Sequence, residues 1–210
     1  MDPKELVKRG YDKISHVYRG DAIDYARAEH VAYVEWIEEL KTLLPPGAPV
    51  LDLGCGNGIP GTKLLADAGF NVVGVDISPV QISRAAALVP TAQFQCVDMT
   101  ELHFPAQSFA AVVSFYAIIH IPLAEQPALF DHVRDWLQPH GYLMAIVGAG
   151  AWTGTEENWL DVAQATMYWS HADTVTYQAW LTERGFTILK TRFIPEGTGG
   201  HTLLLAQRAD

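Results

Sequence analysis

The chain has 210 residues, 49% of them hydrophobic and 18% charged, a balance that excludes disorder and suits one domain burying roughly 70% of its unfolded surface. Its 14 basic residues stand against 24 acidic ones, a formal net charge of −10. Nucleic-acid affinity rests on phosphate neutralisation, so without a visible basic patch no nucleic-acid partner is expected. Lys and Arg are absent from Asp135 through Glu183, which favours a neutral or cationic small molecule as partner.

The N-terminal MDPKELVKRG lacks the apolar core of a signal peptide, and no stretch approaches the roughly 18 apolar residues of a membrane span. A cytoplasmic protein without membrane attachment is expected. Residues 1–45 read as two helices separated near Gly20 and Asp21. Val7, Tyr11, Ile14 and Tyr18 share one face of the first, and Val31, Val34 and Ile37 continue an apolar stripe on the second. Pro45, Pro46 and Gly47 end it.

From Val50 to Val147 the pattern alternates: strand 49–53, helix 59–69, strand 71–75, helix 79–89, strands 92–97 and 109–115, helix 124–137 and strand 142–147. Such alternation predicts a parallel sheet with right-handed crossovers. After Gly150 the rhythm breaks. Residues 151–171 hold Trp152, Trp159 and Trp169, three of the six tryptophans. A helix at 173–184 and strands 186–193 and 201–206, joined by the turn-rich PEGTGGH, complete the chain.

The first strand runs into VLDLGCGNG, where Asp52 ends an apolar run and Gly54, Gly56 and Gly58 bracket Cys55 and Asn57. Glycines there admit backbone conformations closed to other residues and let a ligand approach closely. Pro60 suits the first turn of a following helix. Asp76 lies 22 residues beyond Gly54, and Asp98 another 22 residues on, each closing its own strand. One acid per strand end, at the carboxyl edge of a parallel sheet, describes a nucleoside crevice.

At these residues the chain resembles the class I S-adenosylmethionine-dependent methyltransferases, in particular the small methyltransferase type 11 group, from about Val50 to Val147 and more weakly beyond. The resemblance implies a Rossmann-like α/β fold with a seven-stranded mostly parallel sheet, one antiparallel edge strand and an N-terminal helical lid. It implies one domain: lid 1–45, cofactor-binding core 48–148, aromatic insertion 149–172, closing helix and hairpin 173–210. It further implies S-adenosylmethionine as cofactor. Asp52 with Gly54, Cys55, Gly56, Asn57 and Gly58 would hold its methionine end, Asp76 its ribose, and Asp98 with Met99 its adenine. Tyr11, Tyr18, Ile77, Gln81 and Phe115 are further expected contacts. The common SFD of the fourth strand is replaced around Phe109 and Ala110, a departure that leaves cofactor binding untouched.

For chemistry, His120 in SFYAIIHIP is the expected base, since imidazole titrates near neutrality. Packing beneath the cofactor is its alternative. His171 in MYWSHAD is a second candidate, beside an Asp173 that equally suits a helix cap. Tyr116, Trp152, Trp159 and Trp169 are expected at the substrate, as an aromatic wall or as ordinary core. Neither the two cysteines nor the eight histidines show metal-ligand spacing, so no metal is expected. Methyl transfer to a small molecule is the function expected, and the oligomeric state is left open. Two rivals are a non-catalytic S-adenosylmethionine-binding interaction module and, through Gly56, Gly58 and Gly61 as GxGxxG, an NAD-dependent oxidoreductase. Asp52 and Asp98 argue against the latter, because carboxylates repel a diphosphate.

Overall fold

The computed structural model describes residues 2–210. Helix α1 (Pro3–Tyr18) starts where Asp2 caps the backbone N–H of Lys4 at 3.2 Å, and α2 (Ala28–Leu43) follows a nine-residue connection, 19–27. Strands and helices then alternate: β1 (Pro49–Leu53), α3 (Gly61–Asp67), β2 (Asn71–Asp76), α4 (Pro79–Leu88), β3 (Gln93–Cys96), β4 (Phe109–Ser114), α5 (Gln126–Trp136) and β5 (Leu137–Gly148). The insertion forms β6 (Trp152–Glu156) and β7 (Met167–His171), and the chain closes with α6 (Thr174–Glu183), β8 (Phe186–Glu196) and β9 (Gly199–Arg208).

The main sheet has seven strands in the order β3-β2-β1-β4-β5-β9-β8. β1 to β5 pair in parallel, and β9 is antiparallel to both β5 and β8. The antiparallel strand is therefore not the edge. β9 enters between β5 and β8 because its Leu203, Leu204, Leu205 and Ala206 are buried on both faces, whereas β8 is largely exposed and suits the rim. β5 begins earlier than expected, since Leu137 pairs with Phe109 before a register shift. Helix α3 is correspondingly short, with Ile59 and Pro60 left in the loop ahead of it.

Alternation along the strands divides the core. Leu51, Val112, Leu143, Ala145 and Leu204 face α5 and α6, while Val50, Ala111, Val113, Met144 and Leu203 face α2 and α3. The buried face of α2 is Tyr33, Trp36, Ile37 and Leu40, a full i, i+3, i+4, i+7 stripe; Val31 is exposed, because the larger aromatic pair turns the helix away from it. Helix α1 packs elsewhere. Its Val7, Tyr11, Ile14 and Tyr18 meet Trp159, Ala165, Met167 and Trp169 of the insertion, so the two segments outside the alternating core cover each other. No helix among the described residues is long and apolar enough to cross a membrane.

Polar ties fix α1 over the carboxyl edge of the sheet. Lys4 Nζ donates to Thr100 Oγ1 at 2.7 Å and pairs with Asp98 at 2.8 Å and with Glu125. Ser78 Oγ donates to Asp12 at 2.5 Å, and Arg84 holds Ser15, the Arg19 carbonyl at 2.8 Å and Asp21. Asn57 in the glycine loop donates to the Gly20 carbonyl at 2.9 Å.

Candidate active site

Asp52, Asp76 and Asp98 stand at neighbouring strand ends because three parallel strands finish at one edge, and all three line one inner cavity. Asp52 is buried and accepts from Thr62 Oγ1 at 2.7 Å. Asp76 accepts from the backbone N–H of Gly56 and of Ser78, both at 2.9 Å, tying the glycine loop to β2. Burial raises both acids, Asp52 to about 7 and Asp76 to about 6, and each repels the charge of the other or of a nearby acid. Asp98 caps the following 3₁₀ turn through Thr100 and faces Lys4.

The loop itself is a close fit. Gly54 has φ +76°, and a Cβ there would lie 2.0 Å from Ala117 Cβ. Gly56 has φ +56° and nothing within 4 Å of an added Cβ, so bare backbone borders the cavity. Of the expected cofactor contacts, Tyr11, Tyr18, Asp52, Gly54, Cys55, Gly56, Asn57, Asp76, Ile77, Asp98, Met99 and Phe115 line this cavity. Two do not. Gly58 supplies the turn, donating its N–H to Cys55, and the buried Gln81 turns its amide oxygen to Ser15 Oγ at 2.8 Å.

A second, outer cleft of about 730 Å³ adjoins the first through Tyr11, Tyr18, Arg19, Tyr116 and His120. His120 is buried at this junction. Its Nδ1 is 2.7 Å from the Tyr168 carbonyl, which only accepts, so Nδ1 carries the hydrogen and Nε2 accepts from Tyr11 Oη at 2.9 Å. Burial lowers His120 to about 4, leaving a neutral ring with a basic nitrogen turned to Tyr11. Tyr116 precedes the short 3₁₀ turn that carries His120, in a left-handed conformation with φ 64°. Its hydroxyl is bonded to Glu196, whose carboxylate lies 3.2 Å from His201 Nδ1.

Trp159 and Trp169 line the outer cleft, but Trp152 and His171 do not. The β6–β7 register opposes Trp152 to His171, and Trp152 is 49% exposed on the outside of Trp169. His171 donates to the Gly150 carbonyl at 2.7 Å, and Asp173 caps α6. Trp152 and His171, expected at the substrate, thus line neither cavity. Conversely, Arg19 and Arg27 from the α1–α2 connection and Glu196 and His201 from the last hairpin join the cleft. The sequence reading missed all four; for Glu196 and His201 the signal was PEGTGGH, read only as a turn.

A glycine loop, three acids at strand ends and a helical cover define the cofactor-binding half of a class I methyltransferase. Residues 50–141 match the family model described as a methyltransferase domain. Over 82 residues the chain is 49% identical to the 2-methyl-6-phytyl-1,4-hydroquinone methyltransferase of Synechocystis sp., covering 38% of this chain and 26% of that protein. The chain spans less than half the length of the curated relatives it matches. Among solved structures, magnesium protoporphyrin IX methyltransferase from Synechocystis with bound S-adenosylmethionine superposes with a TM-score of 0.72 at 20% identity, covering 100% of this chain and 98% of the other. The [4+2]-cyclase SpnF superposes at 0.74 with 19% identity, covering 96% and 94%. Residues 50–141 thus carry a methyltransferase domain on the class I methyltransferase fold, and S-adenosylmethionine is the cofactor bound in the superposed magnesium protoporphyrin IX methyltransferase.

The residues present fit that cofactor. Its sulfonium and ammonium groups are cations, and the inner cavity offers two buried carboxylates held above their usual range by burial.

Proposed function

We propose that the chain transfers a methyl group from S-adenosylmethionine to a neutral small molecule bound in the outer cleft. The observation that carries this is the junction at Tyr11 and His120, where an acid-lined nucleoside cavity opens directly onto a second cleft. In this reading Asp52 with residues 54–57 holds the methionine end, Asp76 the ribose hydroxyls, and Asp98 with Met99 the adenine. When bound, the cofactor supplies an electrophilic methyl group. The protein's share is alignment, which contributes roughly 7–11 kcal/mol in favourable cases, and proton removal. A proton leaving the acceptor passes to Tyr11 Oη as Tyr11 gives its own to His120 Nε2, so base and relay are on one hydrogen-bonded line. The free thiols of Cys55 and Cys96 support a cytoplasmic location.

The test is binding followed by turnover. S-adenosylhomocysteine should bind with micromolar affinity and NADH should not displace it, whereas displacement at low micromolar NADH would favour a dinucleotide site. Methyl label should then appear in a small acceptor. Binding without any transfer, across a screen of phenols, amines and thiols, would favour a non-catalytic module or a different reaction on this fold.

Two predictions belong here. Helix α1 closes over the inner cavity, with Lys4, Val7, Tyr11 and Tyr18 in its lining. Deleting residues 1–18 is expected to reduce cofactor affinity and turnover together, each by about tenfold, because a lid both retains ligand and excludes water. Full activity in a folded truncation would make α1 mere packing.

The second concerns pH. Unfolded, Asp52 and Asp76 ionise near the ordinary carboxylate value; folded, they hold protons to about 7 and 6. Their contribution to stability is thus present below about pH 4 and is lost as pH rises through 6 to 7. S-adenosylhomocysteine, bringing an ammonium group, should release protons on binding at pH 6.5 and almost none at pH 8.5. Calorimetry in buffers of different ionisation enthalpy measures this, and Asp52→Asn should remove most of it.

A further inference from the structure

Resting on the methyl-transfer reading, we propose that the acceptor is a neutral, planar aromatic molecule bearing a hydroxyl, held against Trp159 and Trp169 with its O–H donated to Tyr11. The size of the outer cleft, about 730 Å³, lies in the range of drug-sized ligands and exceeds what a simple amine or alcohol requires. Its inner wall is a continuous set of rings. Trp159 stands 6.0 Å from Tyr11, 5.6 Å from Tyr18 and 5.3 Å from Trp169, and Trp169 is 5.6 Å from His120. Rings at such spacings favour a further ring in offset or edge contact.

The loop that presents Trp159 is strained. Asn158, Leu160, Asp161 and Gln164 all have left-handed φ between 54° and 61°, conformations costly for residues with side chains and gathered at ligand clamps. The loop is held there by Trp159 N–H on the Ala165 carbonyl at 2.8 Å, Gln164 N–H on Asn158 Oδ1 at 2.8 Å, and Lys13 on the Gln164 carbonyl at 2.8 Å.

Polarity selects the functional group. Tyr11 spends its hydrogen on His120 Nε2, so its oxygen, already in hydrogen-bond reach of the Tyr18 hydroxyl, can only accept, and a ligand group that joins it must be a donor. Charge selects neutrality. Arg19 and Arg27 line the cleft against Asp161 and Glu196, two positive groups and two negative. The guanidinium of Arg19 already lies 4.6 Å from the Tyr18 ring centroid, and Glu196 is engaged by Tyr116 and His201. With positive and negative groups balanced around it, the cleft carries no net charge that would draw an ionic acceptor in. Lys and Arg are indeed missing from 135–183, but the α1–α2 connection supplies them.

The test is calorimetric binding to the full chain, first of S-adenosylhomocysteine and then, in its presence, of 2-naphthol, 2-methoxynaphthalene, cyclohexanol and tetramethylammonium. We expect 2-naphthol to bind at least tenfold more tightly than cyclohexanol or tetramethylammonium. Trp159→Leu should weaken 2-naphthol about tenfold, and Tyr11→Phe about fivefold, the scale of one hydrogen bond, without changing 2-methoxynaphthalene, which has no proton to donate. If Trp159→Leu melts well below the wild type, Trp159→Phe replaces it with an expected loss of about threefold. Equal binding of cyclohexanol, tighter binding of tetramethylammonium, or equal losses for both naphthalenes in Tyr11→Phe would overturn the proposal. Failure of S-adenosylhomocysteine itself to bind would instead overturn the methyl-transfer reading beneath it.

Discussion

Replacing His120 by glutamine is expected to lower turnover by about 10²–10⁴-fold while S-adenosylhomocysteine affinity stays within a few-fold, the range lost when a general base is removed. The neutral ring, fixed by its Nδ1–H on the Tyr168 carbonyl, offers Nε2 to Tyr11; glutamine has no nitrogen lone pair of that basicity. With His120 near 4, the wild-type rate should be flat from about pH 5 upward. The mutant rate should climb toward it as pH passes the acceptor's own pKa, where the base becomes unnecessary. Tyr11→Phe should share part of the loss, because it cuts the same line one atom earlier. The measurement is a pH–rate profile of wild type and both variants with labelled cofactor. Normal turnover at neutral pH would reduce His120 to packing, and a loss independent of pH would make it a positioning residue.

Asp76→Ala is expected to weaken S-adenosylhomocysteine about ten- to hundredfold, as charge-assisted hydrogen bonds are worth roughly 1.5–3 kcal/mol. Both carboxylate oxygens already accept one backbone N–H, from Gly56 and Ser78, and a carboxylate retains further lone pairs for ribose hydroxyls. The alanine variant therefore loses ligand contacts and frees the glycine loop together. Asp76→Asn separates these effects: it keeps the side chain's size and one acceptor, so its loss should be smaller. Isothermal calorimetry on variants of wild-type circular dichroism decides the matter, and unchanged affinity in folded Asp76→Ala would sink the ribose assignment.

The alternating core was legible because its signals are local. A run such as NVVGVD contains its own burial pattern and its own terminal acid, and parallel pairing then brings the ends of β1, β2 and β3 to one edge without further information. The same is true of the α1 stripe, whose four residues share a face by helical spacing alone. What covers that stripe is not local. Tyr11 meets His120 across 109 residues, and Trp159 meets Tyr18 in a cluster that no periodicity announces.

The sequence by itself therefore determined the parallel strands, the glycine loop and the strand-end acids, since spacing along one chain dictates them. Only the tertiary structure decided the outer cleft. Position along the β6–β7 hairpin decided which rings reach it: Trp169 lines the cleft, and the paired Trp152 and His171, one step further along the same face, do not. Insertion of β9 beside β5, driven by leucines buried on both faces, carried the preceding turn back over the sheet edge. That return brought Glu196 and His201 to Tyr116, and the α1–α2 connection, tied down by Arg84, put Arg19 and Arg27 beside them. Residues far apart in the chain meet there only because packing of both sheet faces leaves the strands one order to adopt.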